Sequence, residues 1–91
     1  MASAEHANWA AQLRSERAQL VKADVDIEEG WTRIRNQQDL LDWLQRAGHD
    51  TNQAERLISL LKETLVEWER HRTLIVQRVA YLEERVRSQL A

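Results

Sequence analysis

The sequence predicts an all-α fold: a long antiparallel helical hairpin, coiled-coil-like, that dimerises into a four-helix bundle. Three observations lead there. The 91 residues contain no proline and only two glycines, Gly30 and Gly48, too few turn formers for a protein built of short strands. Ala, Leu, Glu, Gln and Arg dominate, and all of them favour helix. Apolar residues recur every seven positions on both sides of one short interruption, "RAGHDTNQ", as they do along the seam between two packed helices.

The first helix is expected over about residues 3–47. Leu13, Leu20, Ile27, Ile34 and Leu41 follow one another at seven-residue steps. Their companion row is Trp9, Glu16, Ala23, Gly30, Gln37 and Leu44, and its small and polar members point to close helix approach or a mixed seam. Gly30 is a weak point, because glycine inside a helix costs about 1 kcal/mol relative to alanine. A rival reading breaks this helix near residues 24–26, with Asp26 and Glu29 as a capping box and three helices as the result. The unbroken spacing through Leu20, Ile27 and Ile34 favours one helix.

The turn is expected at residues 48–50. Gly48 follows the last periodic residues, where a helix end wants a left-handed residue and glycine supplies it without steric cost. Asp50 stands three residues before Gln53, a capping-box spacing for the next helix, and Glu55 falls in the first turn, where the helix dipole favours an acid. The second helix is expected over about residues 51–89. Ala54, Leu61, Trp68, Ile75 and Leu82 form one row, and Ile58, Leu65, Val79 and Val86 the other, with Arg72 the single interruption.

Composition limits the chemistry. Ninety-one residues make one domain, residues 1–91. No cysteine is present, which excludes disulfides, thiolate catalysis and Cys-based metal sites. The opening "MASAEHANWAAQLRSER" lacks the basic start and apolar core of a signal peptide, and no apolar run is long enough to span a membrane. A cytoplasmic location is therefore expected. The net charge of −2 argues against a general nucleic-acid binder, which carries a basic excess. The charge is unevenly spread: residues 1–30 hold three bases and six acids, residues 70–91 five bases and two acids. In a hairpin these stretches attract each other.

Each reactive-looking residue has a plainer reading. His49-Asp50 has no evident nucleophile to activate and no oxyanion loop, so both are read as turn residues. Glu67 and His71, four apart, lack the further inward carboxylates of a helical di-metal site, and His6 lies near the terminus. No catalytic, metal or cofactor residue is expected. Arg72 is different, because it sits on the seam. In a hairpin turning at about residue 49 it faces Asp26, with Asp24 nearby, and forms a polar layer that fixes register. The alternative is that it reaches solvent with its stem packed on Trp68 or Ile75. Trp31 and Trp68 are expected as packing neighbours across the hairpin.

Between Gly30 and Ile75 the chain carries Gly30, Ile34, Gln37, Leu41, "GHDT" at residues 48–51, "AE-x-L" ending at Leu57 and "HR-x-x-I" ending at Ile75. In these features it resembles a group of short bacterial helical-hairpin proteins. That resemblance implies a helical hairpin in a regulatory setting, and brings no catalytic activity.

The function expected is that of a non-enzymatic helical interaction and oligomerisation module. Several apolar residues fall outside the hairpin seam and extend the apolar face beyond what one partner helix covers. Trp43, Leu40, Leu57, Leu60, Leu74 and Tyr81 are the candidate interface, and a homodimer is the expected assembly, with an unidentified protein as a further partner. The alternative is a small dimeric nucleic-acid-binding regulator, hinted at only by Arg33, Arg35, Asn36 and Gln37. An enzyme would need a polar pocket that a two-helix bundle hardly builds.

Overall fold

A computed structural model of the chain describes the backbone of residues 2–90 and the side chains of residues 8–90. Two α-helices make up the fold: α1, Ala2–Arg46, and α2, Asn52–Leu90. No strand occurs among the described residues. The chain is a helical hairpin. α1 runs through residues 24–26 without a break, so the three-helix alternative is excluded. Its seam residues Leu20, Ala23, Ile27, Gly30 and Ile34 stay in phase across that point, and phase is what a new helix start would have lost.

The hairpin divides into two compact units, and both helices contribute to each. Val25–Glu69 form the turn unit; the N-terminal stretch through Asp24 and the C-terminal stretch from Arg70 form the terminal unit. In the turn unit Gly30, Ile34, Ala54, Ile58 and Leu65 are buried, while Ile27, Gln37, Leu41, Leu44, Leu61 and Trp68 are half-buried. In the terminal unit Leu13, Ile75 and Leu82 are buried, and Trp9, Glu16, Leu20, Ala23, Arg72, Val79 and Val86 are half-buried. Within each unit these residues of each helix alternate at steps of four and three, the pattern of two helices sharing one seam, and a few residues beside them, Asp26, Thr64 and Glu83 among them, are half-buried as well. Among the described residues every buried side chain is apolar; the polar seam residues Glu16, Gln37 and Arg72 keep part of their surface in water.

Gly30 fits the seam because it has no side chain. A methyl group there would stand 3.2 Å from Leu65 Cδ1 and 3.6 Å from Trp68 Cζ3, so the glycine lets α2 side chains reach the α1 backbone. Beside it lies a hollow of about 80 Å3 bordered by Arg33, Leu61, Thr64, Leu65 and Trp68. Trp68 therefore packs against Gly30, and Trp31 is 43% exposed. The expected pairing of Trp31 with Trp68 is corrected on this point. Gly30 is itself a seam residue, and its neighbour Trp31 is carried about 100° around the helix, off the seam.

The turn is closed by its own backbone. Gly48 has φ of +76°, and its N–H donates to the Gln45 carbonyl (3.2 Å) while the His49 N–H donates to the Leu44 carbonyl (2.9 Å). This pair of bonds is a Schellman motif with glycine at the left-handed position. Such motifs add a side-chain contact between the residue after the glycine and the last helical turn. Here that contact is His49 stacked on Trp43, ring centroids 5.6 Å apart and planes 28° from parallel.

α2 starts one residue later than expected. The Thr51 carbonyl accepts from the Glu55 N–H (3.0 Å), which makes Thr51 the capping residue. Asp50 stands before the cap, where its carboxylate accepts from the Asn52 N–H (2.9 Å). The capping box between Asp50 and Gln53 does not form. The Thr51 hydroxyl instead donates to the Glu55 carboxylate (3.2 Å). The physical reason is that an aspartate reaches the amide two residues on as readily as a cap does, so the helix starts a residue past it.

At matched protein concentration, Gly48→Val should lose about 1 kcal/mol or more of unfolding free energy in a denaturant titration, because valine resists a positive φ. His49→Ala should lose less, since only the edge of one stacked pair disappears. Gly30→Ala should gain up to about 1 kcal/mol from helix propensity, the Leu65 methyl moving into the adjacent hollow. Gly30→Leu overfills that space and should reverse the sign.

Candidate interaction surface

In the terminal unit, charges bracket the seam. The Arg72 Nε donates to Asp24 Oδ1, Arg17 reaches Glu83 at 3.3 Å, and Arg78 reaches Glu16 at 3.7 Å. Arg87 pairs with Glu84 along α2 at 3.0 Å. The Arg85 guanidinium lies over both the Trp9 ring (5.5 Å) and the Tyr81 ring (5.1 Å), and its Nε donates to the Tyr81 hydroxyl. Most of these arginines are thus spent on carboxylates or aromatic faces of the same unit.

Arg72 combines the two roles foreseen for it. Its stem occupies the seam position between Leu65 and Val79, and its head comes out at the edge to meet a carboxylate. That carboxylate belongs to Asp24, which corrects the expectation of Asp26. The two acids are two residues apart on α1, so they stand on opposite flanks of the seam. Arg72 emerges on the flank of Asp24. The hydrogen bond donated to Asp24, and then the charge of that carboxylate, hold the guanidinium above its ordinary pKa. Both side chains remain about half exposed, so water screens the pair.

The turn unit has two unlike flanks. One flank carries the residues just before the Ile34, Leu41, Ile58 and Leu65 row, together with those a helical step away: Asn36, Leu40, Trp43 and Ala47 on α1, and Leu57, Leu60 and Thr64 on α2. In an antiparallel pair, positions preceding the seam on both helices border the same edge. This stretch holds no charge until Arg33 and Glu67. The other flank carries Glu28, Arg35 and Asp42 on α1 and Glu55, Lys62 and Glu69 on α2. This flank also holds, near the turn, the large exposed apolar residues Leu40 (43% exposed), Trp43 (54%), Leu57 (40%) and Leu60 (59%). Farther from the turn it carries Asp26, Glu29, Arg33 and Glu67, and Arg56 and Glu63 border Leu60, so the apolar cluster is rimmed by charge.

Leu74 and Tyr81, the remaining candidate interface residues, are exposed in the terminal unit and stand seven apart on one side of α2. Trp31 and Val66 were missed as exposed residues. Their signal was available in the sequence, since each directly follows a seam residue, Gly30 and Leu65.

No group of three or more His, Asp or Glu side chains that could hold a metal ion occurs among the described residues. His71 is exposed, His49 is stacked on Trp43, and the side chain of His6 lies outside the described residues. No helix among the described residues is long and apolar enough to cross a membrane. No protein-family model matches the chain, and no curated protein or solved structure is significantly similar to it.

Arg72→Leu should raise the melting temperature by a few degrees, because it extends the apolar seam and gives up only a water-screened ion pair. Calorimetry of the two proteins at one concentration decides the matter. A lower melting temperature would mean that the pair with Asp24 contributes more than its exposure allows.

Proposed function

We propose that this protein is a non-enzymatic helical interaction module that works by self-association, two hairpins pairing as a four-helix bundle. The observation that carries this reading is the cluster of large apolar side chains exposed near the turn on one flank of the turn unit, Leu40, Trp43, Leu57 and Leu60. Identical chains usually associate with two-fold symmetry, so the contact would be isologous. The engagement of Arg17, Arg72, Arg78 and Arg87 with carboxylates leaves the arginine-rich stretch poorly suited to phosphates, which favours a protein partner over nucleic acid.

Light scattering or sedimentation at micromolar concentration should return twice the chain mass of 10.7 kDa. A folded, cooperatively melting monomer across that range would refute the reading.

A further inference from the structure

We infer that the hairpin parts from its open end: the terminal unit opens as a unit of its own while the turn unit stays closed, and this opening uncovers the seam residues Leu13, Ile75 and Leu82. Three differences between the units point there.

The first is what each unit gives up on its seam. The turn unit places one polar side chain there, Gln37, among residues such as Ile34, Leu41, Ile58 and Leu65. Its gap at Gly30 is covered by Leu65 and Trp68. The terminal unit places Glu16 and Arg72 on the seam, and Gln89 at the same phase. Each such position removes apolar surface from a contact that has little else to bury.

The second is unmet hydrogen bonding. Glu16 Oε2 and Gln89 Nε2 are buried without a hydrogen-bond partner, and both belong to the terminal unit. Among the described residues no buried side-chain oxygen or nitrogen of the turn unit is left so. Water satisfies both groups once the terminal unit opens, so they weigh against the closed form.

The third is how each unit is closed. Arg17–Glu83, Arg72–Asp24 and Arg78–Glu16 tie the two helices of the terminal unit, and most of these side chains are more than a third exposed. Water screens such pairs, and they replace little of the missing burial. Arg72 and Asp24 are 48 residues apart in the chain, Arg17 and Glu83 are 66 apart. The turn unit is closed instead by the short turn at Gly48, with its own backbone hydrogen bonds. Contacts across long separations form readily only after that turn has brought the helices side by side. The hairpin therefore zips outward from the turn and unzips from the open end. Helix segments freed in this way have no packed partner and are marginal in water, so their amides become open to exchange.

Native-state hydrogen exchange of the full chain, read amide by amide by NMR at one protein concentration, tests this. Relative to unstructured peptide, amides at positions 10–22 and 74–86 should exchange at least about tenfold faster than those at 34–44 and 54–65. Ile58→Val trims the turn-unit seam and should speed exchange in the turn unit by about fivefold. It should leave the terminal unit unchanged, because the turn unit is closed both before and after the terminal unit opens. Glu16→Leu fills the seam and removes the buried oxygen, and should slow exchange in the terminal unit by about fivefold or more. Equal protection in the two units, or an Ile58→Val effect shared by both, would reveal a single cooperative unit and overturn the inference. Terminal-unit exchange that is no slower in Glu16→Leu would also overturn it, since the polar seam would then not be what lets this end open.

Discussion

Each helix of this hairpin has one seam to share, and the rest of the structure depends on that limit. A helix inside a larger bundle buries two or three of its sides. Here a row of residues alternating at four and three steps is protected on each helix, and the residues beside it meet water. Stability then rests on a short set of contacts, with Ile34 in the turn unit and Ile75 in the terminal unit almost wholly enclosed. Under that limit a seam position given to a polar residue or a glycine is a large share of the apolar surface at hand.

The seam nevertheless gives up several such positions, and each has an identifiable local effect. Gly30 trades a side chain for the approach of Leu65 and Trp68 to the α1 backbone. Arg72 sends its head to Asp24 at the seam edge. Glu16 meets Arg78 while its second carboxylate oxygen is buried without a hydrogen bond. Two uniform apolar rows would slide past each other by a heptad at little cost. Polar residues and a gap at fixed places make a shifted pairing expensive, because an arginine would lose its acid and a tryptophan would lose its glycine. The seam thus exchanges some burial for a single register.

This division also explains which features were legible in the sequence. The two rows could be read directly, since a seven-residue period along a helix has one geometric meaning. Gly48 could be read too, because one residue type is strongly preferred at a left-handed helix end. The errors concern choices between neighbours on the same surface. Asp50 and Thr51 are both able to cap a helix, and the backbone settled on Thr51. Asp24 and Asp26 both lie within an arginine's reach in a one-dimensional reckoning, and the flank on which Arg72 leaves the seam decides between them. Trp31 looks like a core residue by type, but its phase puts it outside. Type alone misleads at such positions, and phase relative to the seam corrects it.

Phase also separates the flanks that composition merges. Taken together, the exposed apolar residues look like a scatter that any helical surface tolerates. Sorted by flank, Leu40, Trp43, Leu57 and Leu60 gather near the turn on one side of the turn unit, while Arg35, Asp42, Glu55 and Lys62 stand on the other side at the same height. Near the turn one flank thus presents mainly apolar side chains and the other mainly charged ones, a difference that the seam's phase makes visible and overall composition hides.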